Sequence, residues 1–101
     1  MKIPPEQAQD MMVTNPNAII LDVREQWKHE TLGKIPGSVH VYVKELSERI
    51  QTIIPDKNAM VLIYCTAGVK SAAAYDTMRA MGYTDVYDFG GIDEWPGAIV
   101  P

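Results

Sequence analysis

The sequence predicts an α/β fold in which a small, mainly parallel central sheet carries helices on both faces. Short apolar runs that suit buried strands alternate with segments whose apolar residues recur at helical spacing. Alternation of this kind is typical of strands that lie side by side in one parallel sheet. A length of 101 residues provides one hydrophobic core, so residues 1–101 are expected to form a single domain.

The first half of the chain contains two predicted strands and two helical segments. Residues 6–12 follow a pair of prolines, which suit the first turn of a helix. Residues 18–23 are apolar until an aspartate and predict a buried strand. A short helical segment around Trp27 and a loop over residues 33–37 precede a second strand at residues 39–41.

The second half repeats this alternation and ends on a strand. Apolar residues at helical spacing predict a helix over residues 46–54, and residues 55–58 form a turn. The apolar run 60–64 predicts a strand, residues 71–81 a helix that a glycine ends, and residues 85–89 a last strand.

Composition and charge exclude several classes of function. The chain is 47% hydrophobic and 22% charged, which is typical of a globular domain, and its net charge of −4 argues against a nucleic-acid partner. No apolar stretch approaches the roughly 20 residues that span a bilayer. A single cysteine suits a reducing compartment. The protein is therefore expected to be cytoplasmic, without a membrane partner, and monomeric.

The only cysteine, Cys65, ends an apolar strand and precedes a short turn into a helix. Gly68 permits the tight curvature by accepting a positive φ angle, and Ser71 is expected to be the N-cap. Backbone N–H groups and the helix dipole then point at the sulfur and favour the thiolate, which makes Cys65 the predicted nucleophile. Lys70 either attracts an anionic substrate or is simply solvated. The predicted substrate-binding residues are Thr66, Ala67, Gly68, Val69, Lys70 and Ser71.

Asp22 and Arg24 are expected near Cys65, because active sites form at the carboxyl ends of parallel strands. A catalytic role and an internal supporting role are both open, and support is favoured. In that role Asp22 accepts loop N–H groups and Arg24 pairs with a carboxylate such as Glu25 or Glu30.

The two histidines, His29 and His40, are expected at the surface or at an edge of the sheet. Two scattered histidines and one cysteine make a poor metal site, so neither a metal nor another cofactor is expected. Trp95 is expected to fill the core rather than to contact a substrate.

Four segments, in this order, resemble a known family. They are Leu21-Asp22-Val23-Arg24, Gly33-Lys34-Ile35-Pro36-Gly37-Ser38, Cys65-Thr66-Ala67-Gly68-Val69-Lys70-Ser71, and Gly90-Gly91-Ile92 with Trp95. With them the chain resembles single-domain rhodanese-like proteins, the thiosulfate sulfurtransferase family, over nearly its whole length.

The resemblance implies a transferase that acts in two half-reactions. Cys65 would take the outer sulfur of thiosulfate or of a similar small anionic donor as a persulfide, and a thiol, a protein or, in an assay, cyanide would accept it. Two residues depart from the family pattern. Lys34 replaces a histidine at a position that looks structural. Lys70 replaces an arginine and lacks its planar fork, which puts thiosulfate as the donor in doubt.

The same loop could also serve other functions. A persulfide carrier or sulfur-relay module would use Cys65 without taking sulfur from thiosulfate. A phosphatase or arsenate reductase is remote, because Ser71 stands where such enzymes need an arginine. A thiol redox switch has no second cysteine to resolve a disulfide.

Overall fold

The computed structural model describes residues 1–101 and contains one sheet of four parallel strands. The strands are β1 (Ile19–Asp22), β2 (Val39–His40), β3 (Val61–Cys65) and β4 (Val86–Gly91). The α-helices are α1 (Pro5–Thr14), α2 (Gln26–Thr31), α3 (Leu46–Ile53) and α4 (Val69–Ala80), and two short 3-10 helices span Val43–Glu45 and Ile92–Glu94. The order of the strands in the sheet is β2-β1-β3-β4.

Each face of this sheet is covered by helices, as the sequence predicts. On one face, Leu46 and Ile50 of α3 and Ala74 and Met78 of α4 are buried against apolar residues of β1, β3 and β4. On the other face, Ala8 of α1 joins a second core built on β3 and β4. The predicted α/β fold class is therefore confirmed.

The second core includes an aromatic stack that leads to the end of the chain. Tyr64 packs on Phe89 with ring centroids 5.6 Å apart, and Phe89 packs on Trp95 at 5.5 Å. Trp95 is partly buried in this core, and its indole N–H donates to the carbonyl of Ala98 at 3.3 Å. The expectation that Trp95 fills the core agrees with these contacts.

Strand register brings the predicted site residues to one edge of the sheet. Asp22 pairs with Tyr64 between β1 and β3, and Cys65 pairs with Gly91 between β3 and β4. The pairing of β3 with β4 shifts by one residue before Cys65, where Gly90 adopts a positive φ of 88°. This bulge ends β4 directly beneath the chain that follows Cys65.

The expected start of α4 is wrong. The helix begins at Val69 rather than at Ser71, because Gly68, with a φ of 104°, makes the turn and caps the helix itself. In the alanine run 72–74, Ala74 faces the sheet while Ala72 and Ala73 are exposed, since one helical face cannot hold three consecutive residues. None of the helices has the length and apolar character that crossing a membrane requires.

Candidate active site

The thiol of Cys65 lies buried at the carboxyl end of β3. The residue is 2% exposed, and the backbone N–H of Gly68 donates to its sulfur at 3.0 Å. The Oγ of Ser71 lies 3.5 Å from the same sulfur. One backbone donor and one hydroxyl group therefore face the thiol from the loop that follows it.

The sequence suggested that Ser71 is the N-cap of α4, but Ser71 is the third residue of this helix. Its side chain is fully buried and donates a hydrogen bond to the carbonyl of Gly68 at 3.2 Å. The hydroxyl thus links the helix to the turn. The same hydroxyl lies near the sulfur, so Ser71 contacts both the turn and Cys65.

The turn after Cys65 rests on the glycine pair at the end of β4. A side chain at Gly91 would place its Cβ 2.1 Å from the carbonyl oxygen of Thr66 and 2.7 Å from the Cα of Ala67. The carboxylate of Asp88 accepts the N–H of Gly90 at 2.9 Å and so holds the bulge. The position of the loop is therefore set by close backbone packing.

The loop leaves donors available to an anion. The N–H groups of Thr66 and Ala67 make no hydrogen bond to another protein group. The N–H groups in the first turn of α4 have no acceptor inside the helix, and the positive end of its dipole faces the same space. Of the backbone N–H groups expected to point at the sulfur, only that of Gly68 donates to it.

A small cavity of about 140 Å³ opens over the sulfur. It is lined by Cys65, Thr66, Ala67, Val69 and Lys70. Together with Gly68 and Ser71, which contact the sulfur, all seven residues predicted from the loop surround one point. A larger cavity of about 500 Å³ lies at the opposite edge of the sheet, between the start of β1 and the start of β4, and contains none of them.

Lys70 stands at the rim of the small cavity and is not freely solvated. Its Nζ lies 3.8 Å from Glu25 Oε1, and its side chain is 37% exposed. Glu25 also reaches Lys28, whose Nζ lies 3.4 Å from the hydroxyl of Thr66. The sequence did not single out Lys28 or this use of Glu25. Their spacing of three residues was the available signal, because it places both on one face of a helical turn.

Asp22 and Arg24 form a buried ion pair on the other side of β3. The Arg24 Nη2 donates to Asp22 Oδ2 at 2.8 Å and to the carbonyl of Gly33 at the same distance. Asp22 also accepts the backbone N–H of Arg24 at 2.9 Å. The partner of Arg24 is therefore Asp22, and the expected partners Glu25 and Glu30 are wrong. No hydrogen bond joins either residue to Cys65.

Three further residues surround Asp22 and were not predicted there. The hydroxyl of Tyr64 donates to Asp22 Oδ2 at 3.1 Å, and His29 Nδ1 lies 2.9 Å from the same oxygen. His40, on the edge strand β2 as expected, stacks on His29 with centroids 4.8 Å apart. His29 is partly buried against Asp22, so its expected surface position is wrong. Burial raises the pKa of Tyr64 to about 12, and the hydroxyl stays a donor.

The Asp22 cluster predicts a loss of stability in acid. Burial disfavours the charged carboxylate, but hydrogen bonds from the Arg24 side chain and backbone and from His29 outweigh it and lower the pKa of Asp22. The folded state then binds fewer protons than the unfolded state. The stability that the Asp22 carboxylate contributes is fully present above the ordinary aspartate pKa of about 4. It is lost as the pH falls through the lowered pKa of the folded state.

Asp22→Asn is therefore expected to lose about 3 kcal/mol at neutral pH, because it leaves Arg24 buried without its charge partner. Below a pH of about 4, the free energy of unfolding of this variant should also fall less steeply than that of the wild type. Urea unfolding at neutral and acidic pH measures both effects. Asp76→Asn, on the exposed face of α4, is the matched control. An acid response of Asp22→Asn equal to that of the wild type would contradict the assignment.

Known proteins share this sequence pattern. A family model described as the rhodanese-like domain matches residues 4–98. The thiosulfate sulfurtransferase PspE of Escherichia coli (strain K12) is 41% identical over 76 residues, which cover 73% of this chain and 70% of that protein. The thiosulfate sulfurtransferase GlpE of Pseudomonas syringae is 36% identical over 95 residues, which cover 93% of this chain and 85% of that protein.

Solved structures share the fold. A rhodanese from E. coli, determined with anions, superposes with a TM-score of 0.76 at 35% identity, over 82% of this chain and 96% of that one. A rhodanese-related protein from Thermoplasma volcanium superposes with a TM-score of 0.77 at 26% identity, over 99% of this chain and 95% of that one. The chain therefore belongs to the rhodanese-like domain family and is a sulfurtransferase of the rhodanese type.

Proposed function

We propose that this protein moves a sulfane sulfur from thiosulfate, or from a similar small anionic donor, to a thiophilic acceptor through a persulfide on Cys65. The Cys65 thiolate attacks the outer sulfur of thiosulfate, a new S–S bond forms, and the old S–S bond breaks as sulfite leaves with its electron pair. An acceptor then attacks the terminal sulfur and releases the thiolate. With cyanide as the acceptor the product is thiocyanate.

The observation that carries this proposal is the setting of the Cys65 sulfur. It lies 3.0 Å from the N–H of Gly68, beside the N-terminal end of α4, under an opening that contains one residue of positive charge, Lys70. Hydrogen-bond donors and a helix N-terminus attract negative charge, and the same groups would serve an attacking thiolate and a persulfide anion. PspE and GlpE, the relatives named thiosulfate sulfurtransferases, support thiosulfate as a donor.

The residue six places after Cys65 favours sulfur transfer over ester hydrolysis. Ser71, six residues after Cys65, contributes a hydroxyl that is already bonded to Gly68. An ester hydrolase of this fold would need a cation at that place.

Several less direct properties complete the proposal. We propose that residues 1–101 act as one rhodanese-like domain, that the protein works as a monomer in the cytoplasm, and that the acceptor is a thiol or a protein. One sheet shared by both cores supports the single domain. The single cysteine, suited to a reducing compartment, supports the location.

Intact mass measurement tests the proposed donor. The reduced protein, with its one thiol confirmed free, is incubated with thiosulfate and is expected to gain the mass of one sulfur atom. Addition of cyanide should then restore the original mass and yield thiocyanate. If the protein gains no mass from thiosulfate, thiosulfate is not the donor. A gain from a cysteine desulfurase instead would identify a persulfide carrier.

A further inference from the structure

Trp27 is a large apolar side chain that the fold leaves in solvent beside the opening over the sulfur. It lies on α2 and is 56% exposed, whereas the other tryptophan, Trp95, is partly buried in the second core. Lys28 Nζ lies 5.7 Å from the centroid of the Trp27 ring and 3.4 Å from the hydroxyl of Thr66, which lines the cavity. These two contacts place the Trp27 ring at the edge of the opening.

Val69 is a second exposed apolar residue at the same opening. It begins α4, lines the cavity and is 81% exposed. Apolar residues that are exposed singly are common on protein surfaces, but here two of them border the opening to a reactive thiol. Tryptophan is also among the residues that contribute most often to binding hot spots. Trp27 and Val69 therefore form an apolar rim that suits contact with a partner.

Each residue of the apolar rim is followed by a lysine. Lys28 and Lys70 both contact the carboxylate of Glu25, at 3.6 Å and 3.8 Å. One negative charge between two positive charges leaves positive charge beside the rim, whereas the whole chain has a net charge of −4. A partner with acidic groups is attracted here and repelled by the rest of the surface, which orients it during encounter.

The position of the sulfur brings an acceptor against this rim. Cys65 is 2% exposed and lines the cavity, so an acceptor reaches the terminal sulfur of a persulfide through the opening. Cyanide or a small thiol enters without contacting the surface around it. A cysteine carried by a protein brings its neighbouring residues against Trp27 and Val69. The rim can therefore distinguish protein acceptors from small ones.

We propose that the apolar rim is the docking surface for a protein acceptor that carries its cysteine on an apolar segment with acidic residues. The proposal rests on the proposed function, because the acceptor takes its sulfur from Cys65. The acceptor thiol loses its proton to water, and the thiolate attacks the terminal sulfur of the persulfide. A new S–S bond forms on the acceptor, and the old S–S bond breaks as its electron pair returns to Cys65.

Two synthetic peptides serve as acceptor probes. Each contains one cysteine flanked by leucines, with glutamates in the first peptide and lysines in the second, and dithiothreitol is the small uncharged acceptor. Trp27→Ala is expected to raise the KM for the acidic peptide about fivefold, since it removes the larger apolar contact. The KM for dithiothreitol should change less than about twofold. The wild type should prefer the acidic peptide over the basic one, and salt should weaken that preference.

Val69→Ser and Val13→Ser form a matched pair of variants. The two valines are 81% and 78% exposed, and Val13 lies next to Thr14, which lines the cavity at the opposite edge of the sheet. Val69→Ser should raise the KM for the acidic peptide about threefold, because it removes the smaller contact of the rim. Val13→Ser should leave this KM unchanged. Equal effects of the two serine variants would overturn the proposal.

A binding measurement separates this inference from the proposed function. The acidic peptide, with its cysteine replaced by serine, is titrated into the Cys65→Ser variant while tryptophan fluorescence is followed. Binding should change the emission, and the change should disappear when Trp27→Phe leaves Trp95 as the only tryptophan. Such binding supports the docking surface even if thiosulfate fails to load the wild type, which would overturn thiosulfate as the donor instead. No emission change, or one that persists in Trp27→Phe, would overturn the docking surface.

Discussion

Replacement of Cys65 by serine is expected to abolish sulfur transfer, with a loss in rate of more than about a thousandfold. A serine hydroxyl is a far weaker nucleophile at neutral pH than a thiolate, and an oxygen in place of sulfur forms no persulfide. No other thiol in the chain could take over, because Cys65 is the only cysteine. The loss should be equal for every donor, since all donors meet the same sulfur.

The fold should tolerate this change. The serine oxygen can still accept the N–H of Gly68 and reach the hydroxyl of Ser71, so no buried polar group loses its partner. The free energy of unfolding is expected to stay within about 1 kcal/mol of the wild type. Thiocyanate production and intact mass after incubation with thiosulfate measure the activity, and urea unfolding measures the stability. Sulfur transfer by a folded Cys65→Ser variant would show that the proposed mechanism is wrong.

The architecture could be predicted because local patterns and tertiary packing agree. Strands such as 60–64 are continuous apolar runs, as strands buried on both faces must be, and they alternate with segments at helical spacing. The position of Cys65 followed from the same pattern, since a polar sequence directly after a buried strand lies at the sheet edge. The start of α4 could not be predicted, because a serine resembles an N-cap while the conformation of Gly68 decides where the helix begins.

The partner of Arg24 could have been predicted from the period of a strand. Asp22 and Arg24 are two residues apart, and alternate residues of an extended segment point the same way. The paired register of Asp22 and Tyr64 then explains why a tyrosine next to Cys65 joins the acidic cluster and not the thiol. Neighbouring residues of β3 face opposite sides of the sheet, so one strand serves both groups.

The contacts of Lys28 with Thr66 and of His29 with Asp22 could not be predicted from the sequence. Helix α2 spans six residues, none of them buried, so its apolar pattern does not indicate which side faces the sheet. Lys28 reaches Thr66 across 38 positions of the chain, and His29 reaches Asp22 on the other side of β3. Such contacts depend on the path of the loop between β1 and β2, which the sequence does not specify locally.

Gly91→Ala is the second change with a large expected effect, because it acts on the loop that carries the site. The added Cβ would lie 2.1 Å from the carbonyl oxygen of Thr66, 2.3 Å from Asp93 Oδ1 and 2.7 Å from the Cα of Ala67. Two of these neighbours are backbone atoms, so the strain cannot be relieved by rotating a side chain. Overpacking of this kind typically costs about 1–3 kcal/mol, and here it also pushes Thr66 and Ala67 away from β4.

Sulfur loading by Gly91→Ala should consequently fall by more than about tenfold, since a displacement near 1 Å in a reacting group can cost a hundredfold. The control is Gly82→Ala, which also places a side chain at a glycine but finds no atom within 4 Å, at a φ of 96°. It should cost about 1–2 kcal/mol in stability through backbone strain alone and leave the loading rate of the folded protein unchanged. Loading rates from stopped reactions, compared at equal folded fractions from urea unfolding, separate the two effects. A Gly91→Ala variant that loads sulfur as fast as Gly82→Ala would mean that the glycine pair does not determine the position of the loop.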